Sequence, residues 1–229
     1  MRSWAVATFL SRQLLLYPFA AAMLAAACDA DATATGPSQQ PTTQRIAVLG
    51  DSLAVSPTRE ESFPSVLEAR ITKEGLPWSM TNAGVRGDTT AGGLRRLDSV
   101  LSEGPRVLIV ALGANDGLRG VPIAAIRENL ARIIETAKPR NARVLLCGME
   151  TPPLQGWNYT LDFHHVFPDL AAEYGTPLVP FLLSGVALNP ELNGDDLIHP
   201  NAAGARLIAN TIWPYLLPIL QEETRTALR

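Results

Sequence analysis

From residue 45 onward, short apolar runs alternate with longer stretches in which apolar residues recur every three or four positions. Residues 46–49, 107–112 and 143–147 read as strands, and the unbroken apolar run at 107–112 suits a strand covered on both faces. Residues 79–83 and 177–179 give weaker strand patterns. Between them lie helical periods: 63–72, with Phe63, Val66, Leu67 and Ile71 on one face; 90–101, with Leu94, Leu97 and Leu101; and 123–138, with Ile126, Leu130, Ile133 and Ile134, stopped by Pro139. Helices are also expected at 161–174 and 202–217, the last with a bend at Pro214. Strand and helix alternating about five times predict an α/β domain with a parallel sheet and helices on both faces. No internal repeat is present.

Composition narrows this picture. A chain of 229 residues, 47% hydrophobic and 18% charged, can bury one substantial core but hardly two. The net charge of −3 and the lack of a basic stripe exclude nucleic acid as an expected partner.

The first 27 residues read as a leader rather than as part of the domain. Arg2 and Arg12 precede an apolar run from Leu14 to Ala27, shorter than the ~20 residues a membrane span needs. Small residues then lead into Cys28, which resembles a bacterial lipobox, although Ala25 stands where leucine is usual. The expectation is an exported protein, periplasmic or of the cell envelope, held to a membrane by a lipid on Cys28; plain secretion with a free Cys28 is the alternative. Removing the leader takes away two arginines and no acid, which lowers the charge from −3 to −5. Residues 28–44, rich in Ala, Thr, Pro and Gln, read as a flexible linker, and 45–229 as the domain. Cys147 falls in an apolar run and reads as a buried strand thiol, so no disulfide framework is indicated.

Candidate chemistry gathers at the predicted strand ends, where open α/β sheets bind ligands. The first strand breaks off in Gly50-Asp51-Ser52-Leu53, which would open a helix with the Ser52 hydroxyl outward. A serine nucleophile gains from backbone N–H groups at a helix start, since its attack creates an oxyanion. A merely capped turn is the competing reading. The chain has three histidines, His164, His165 and His199. The first two fall within a predicted helix, where neighbours diverge by about 100° and make a poor metal pair, so no metal is expected. His199 lies three residues after Asp196 in a loop, where a carboxylate can fix the tautomer of a general base. Asp195 is the rival acid, and capping of the next helix by Asp196 the rival role. Gly84, after the second strand, and Asn115, after the third, could join the Ser52 N–H as oxyanion donors; each is otherwise a turn residue.

These stretches resemble the four blocks of the GDSL, or SGNH, hydrolase superfamily: Gly50-Asp51-Ser52-Leu53, Gly84, Gly113-x-Asn115-Asp116 and Asp196-x-x-His199-Pro200, in order, over residues 45 to about 218. The intervening sequence is most similar to the bacterial arylesterase, acyl-CoA thioesterase I and lysophospholipase L1 branch. The loop 54–61 departs from that branch in lacking its usual Gly-Tyr. The resemblance implies a three-layer, flavodoxin-like fold with strand order 2-1-3-4-5. It implies Ser52 as nucleophile, His199 as base, Asp196 as its orienter, and Ser52, Gly84 and Asn115 as the oxyanion hole. Leu118 and Val121 in one loop, and Leu154 and Trp157 in another, are expected to line the acyl site.

The expected activity is cofactor-free hydrolysis of short-acyl or aryl esters, thioesters or lysophospholipids by a monomer. Carbohydrate O-deacetylation or acyl transfer by the same residues is a second reading, and a tethered lipid- or peptide-binding lipoprotein a third. An α/β-hydrolase lacks support because Gly50-Asp51-Ser52-Leu53-Ala54 has no second glycine, and a dinucleotide-binding domain because the glycine fingerprint is missing. Arg86-Gly87-Asp88 is read as a chance adhesion tripeptide, and Asn158-Tyr159-Thr160 as a glycosylation triplet without meaning in a bacterium.

Overall fold

A computed structural model describes residues 43–227. The expected leader, the Cys28 lipidation site and nearly all of the linker lie outside the described residues. Five strands, β1 (Gln44–Gly50), β2 (Trp78–Asn82), β3 (Val107–Ala111), β4 (Arg143–Cys147) and β5 (Leu178–Val179), form one parallel sheet in the order 2-1-3-4-5. β3 is buried along its whole length, as its unbroken apolar run requires. The register pairs Gly50 with Ala111, so β1 and β3 end side by side.

The connecting helices are α1 (Phe63–Lys73), α2 (Thr90–Ser102), α3 (Ala114–Arg119), α4 (Ile123–Ala137), α5 (Trp157–Tyr174) and α6 (Ala202–Ala227). The chain steps outward from β1 to β2, then back across to β3, β4 and β5. Right-handed crossovers in opposite directions put helices on opposite faces. Accordingly α1 packs against α6, while α2, α4 and α5 pack in succession. The reversal at β1 opens a crevice between the carboxyl ends of β1 and β3, the switch point at which such sheets bind ligands.

Three elements differ from the sequence pattern. α3 occupies a stretch read as a turn. α5 begins at Trp157, four residues before the expected start at Leu161, behind Gly156 with φ 93°. α6 continues through Pro214 and Pro218 to Ala227, well beyond Leu217. Its extra turns bury Ile219 and Leu220, and the Thr224 hydroxyl accepts a hydrogen bond from the Trp78 indole at 2.9 Å. Tertiary packing thus overrides two prolines.

Candidate active site

Gly50 ends β1 and is buried beneath the turn at 52–55. A Cβ there would lie 2.7 Å from that of Ala54, so its absence lets the turn fold onto the strand end. This turn, a short 3₁₀ helix at Ser52–Val55, is capped by Asp51, whose Oδ1 accepts from the Leu53 N–H at 2.9 Å. Ser52 takes its first position, where a backbone N–H has no intrahelical partner. The serine side chain lies at the crevice.

His199 and Asp196 arrive together from the loop between β5 and α6. The loop is closed by the Gly194 N–H donating to the His199 carbonyl at 2.9 Å, and Asn193 bridges Pro200. Asn201 fastens it to α6: its Oδ1 accepts from the N–H groups of Ala203 and Gly204, and its Nδ2 donates to the Glu191 and Asn193 carbonyls. Asn201, then, caps the helix, not Asp196. Asp196 Oδ1 instead accepts from the backbone of Ile198 and His199, both at 3.0 Å, and Oδ2 lies 2.6 Å from His199 Nδ1. These bonds, the one to the imidazole foremost, hold the Asp196 carboxyl far below the usual carboxylate range. An ionised carboxylate can only accept, so Nδ1 carries the proton and Nε2 is the acceptor. The Ser52 hydroxyl lies 2.9 Å from Nε2 and donates to it. Ser52, His199 and Asp196 therefore form one hydrogen-bonded chain, and Asp195 has no part in it.

Asn115 sits in the first turn of α3, directly after β3. Its Nδ2 donates to Asp51 Oδ2 at 3.2 Å, which brings the amide beside the Ser52 turn and leaves its second N–H available. Asp51 is fully buried, and burial pushes its carboxyl up to about 6 against the opposing pull of the Leu53 and Asn115 hydrogen bonds. α3 is anchored by the buried Asp116, which accepts from both the backbone and the hydroxyl of Thr90.

The third expected donor is already engaged. The Gly84 N–H donates to Asn82 Oδ1 at 2.9 Å, an Asx-type turn, so it does not face a ligand. Three residues on, Gly87 has φ 71° in the turn 85–88, and its N–H has no acceptor among the described residues. Two glycines in one loop look alike in sequence. The distinguishing signal is the asparagine two positions before Gly84.

An apolar groove of about 390 Å³ reaches Leu53, the residue after Ser52, its other walls including Ala114, Leu118, Leu154, Phe181 and Leu188. Leu118 and Leu154 thus line it. Val121 does not, being packed on the core, and neither does Trp157, which is 71% exposed. Leu197 and Ile198, which precede His199 in the chain, also line it. His164 is not in the hydrogen-bonded chain; its Nδ1 lies 2.7 Å from Glu150, which lines the groove. Among the described residues, no cluster of His, Cys, Asp or Glu has the arrangement of a metal site.

A parallel α/β sandwich with a serine–histidine–aspartate chain at its switch point has the architecture of a hydrolase. The profile of the GDSL-like lipase/acylhydrolase family matches residues 48–207. Esterase TesA of Pseudomonas aeruginosa is 38% identical over 185 residues, 80% of this chain and 92% of that protein. Thioesterase 1/protease 1/lysophospholipase L1 of Escherichia coli K12 is 34% identical over 180 residues, 77% of this chain and 85% of that protein. The crystal structure of the psychrotrophic esterase EstA from Pseudoalteromonas superposes with a TM-score of 0.74 at 29% identity, covering 78% of this chain and 99% of that one. The chain belongs to the GDSL-like lipase/acylhydrolase family.

Proposed function

We propose that this protein is a serine esterase that cleaves carboxylic esters or thioesters through an acyl-enzyme on Ser52. The observation that carries the reading is the pair of contacts on one imidazole, 2.9 Å to the Ser52 hydroxyl and 2.6 Å to Asp196. His199 Nε2 takes the hydroxyl proton as Oγ attacks the carbonyl carbon, and Asp196 stabilises the imidazolium that results. The negative charge on the carbonyl oxygen is met by the Ser52 N–H, the second Asn115 amide proton and the Gly87 N–H. Collapse expels the alkoxide or thiolate, which receives the proton from His199. Water then attacks the acyl carbon and loses a proton to the same nitrogen; the acyl–Oγ bond breaks, Oγ takes that proton back, and the acid leaves.

The apolar groove favours an acyl chain over a sugar, which supports aryl esters, acyl esters and lysophospholipids as substrates rather than acetylated carbohydrate. An apolar leader ending at Cys28 supports export and a lipid anchor. The test is Ser52→Ala, assayed with p-nitrophenyl esters alongside fluorophosphonate labelling. A fall in kcat of roughly 10⁴–10⁶ and loss of the label are expected. Retention of most of the activity would sink the assignment.

A further inference from the structure

We propose that Arg96 is a positioning residue that sets the spacing between the nucleophile turn and the loop carrying Gly87. The proposal rests on the assignment of Ser52 as nucleophile. Arg96 projects from α2 and spends its guanidinium on three acceptors. Nη2 donates to the Gly50 carbonyl at 2.9 Å, Nη1 to the Ala83 carbonyl at 2.5 Å, and Nε to Asp88 Oδ2 at 2.7 Å. Gly50 stands two residues before Ser52, Ala83 follows β2, and Asp88 follows Gly87. One rigid fork thus binds both halves of the region that must surround a developing oxyanion.

The loop joins this anchor at further points, beside the bonds of Arg59 to the Asn82 and Gly84 carbonyls and of Arg86 to the Val55 carbonyl. The Val85 N–H donates to the Gly50 carbonyl that Arg96 also holds, and the Asp88 N–H closes the turn onto the Val85 carbonyl. Asp88 Oδ1 accepts from the Thr89 backbone, so its other oxygen is directed at Arg96. Arg119 adds one bond, to the Gly87 carbonyl at 3.0 Å, but touches neither Gly50 nor Asp88. The Arg96–Asp88 pair is mostly buried, with side chains 23% and 11% exposed, so water screens it little. A lysine could reach one acceptor but not all three, since only the planar guanidinium presents a fixed fork of donors.

A misplacement of about 1 Å can cost about 100-fold in rate without weakening substrate binding. The effect of Arg96 should therefore fall on kcat. The experiment compares Arg96→Gln, Arg96→Lys and Asp88→Asn with the wild type, using rates per fluorophosphonate-titrated site, and measures inhibition by an alkyl trifluoromethyl ketone. For Arg96→Gln, kcat should fall about 100-fold with KM nearly unchanged; for Arg96→Lys and Asp88→Asn, about tenfold. Ketone affinity should fall in parallel with kcat/KM, because the ketone adduct carries the same oxyanion. A kcat per titrated site within about twofold of wild type, or a loss confined to KM with ketone affinity intact, would overturn the proposal. Should the Arg96 variants fail to fold, Asp88→Asn decides alone, since it keeps both carbonyl bonds. Failure of the wild type to label at Ser52 would remove the Ser52 assignment and the clamp with it. A labelled wild type with unaffected variants would remove the clamp only.

Discussion

Asp51 holds Asn115: the asparagine amide donates to the buried carboxyl at 3.2 Å, across 64 positions of chain and two neighbouring strand ends. The same carboxyl caps the turn that presents Ser52. One side chain therefore aligns the proposed nucleophile and a proposed oxyanion donor that come from different strands.

Asp51→Asn should disturb that alignment, because an amide presents a donor where Asn115 needs an acceptor. We expect kcat to fall by about 10- to 100-fold. Stability carries a second signature. Burial raises the folded-state value from 3.8 to about 6, so the folded chain keeps this proton to higher pH than the unfolded chain. The stability it contributes is fully present below about pH 4 and is lost as pH rises to about 6, by up to about 3 kcal/mol. Denaturant titrations from pH 4 to 7 check this: the variant should gain on the wild type as pH rises, and parallel curves would contradict it.

Asp196→Asn should lower kcat by about 10⁴ by favouring the wrong imidazole tautomer, while Asp195→Asn should leave it within about twofold. The same ester assay on both variants distinguishes them. Equal losses would mean that the loop's charge matters rather than the bond to Nδ1.

Asn115→Ala removes a donor and should lower kcat by about 10²–10³. Asn82→Ala frees the Gly84 N–H and loses the 2.7 Å bond from Asn82 Nδ2 to the Ala54 carbonyl. It should cost about 1 kcal/mol of stability and little of the rate. A rise in rate would instead show that the Gly84 N–H, once released from Asn82, serves as a donor.

Leu154→Ser and Leu188→Ser remove apolar walls of the groove. Each should raise KM for octanoyl esters about 3- to 10-fold with little effect on acetyl esters. Trp157→Ser, outside the groove, should alter neither. A chain-length series on the three variants reads this directly.

Leu220→Ala should destabilise the domain by about 2–4 kcal/mol in urea titrations, since the side chain is fully buried although Pro218 stands two residues before it. Near-wild-type stability would mean that the last turns of α6 merely rest on the sheet.

The sheet is legible in the sequence because apolar periodicity reports burial directly: the 107–112 run could hardly be anything but a central strand. The strand order comes from the family resemblance rather than from the periods. Ser52, Asn115, Asp196 and His199 are legible as candidates because each sits at a break between periods, with a residue type suited to its proposed role. Val121 and Trp157 illustrate the limit. An apolar residue in a loop can face a groove, the core or solvent, and only the packing of α3 and α5 decides which. Asp51 and Arg96 escape a sequence reading for a related reason: their partners are side chains and carbonyls distant in sequence, and no local pattern records them. The C-terminal half of α6 escapes it because proline propensity is local, whereas the contacts of Ile219 and Leu220 are not.

Because Asp196 and His199 ride on one short loop seated through Asn201, any shift of that loop would carry them together relative to Ser52. Slight loosening of that seat would part the imidazole from the hydroxyl while the imidazole and its carboxylate stayed together. On warming, the enzyme should fall silent some degrees before its helices melt, and recover on cooling, with the Asn201 seat as its fuse.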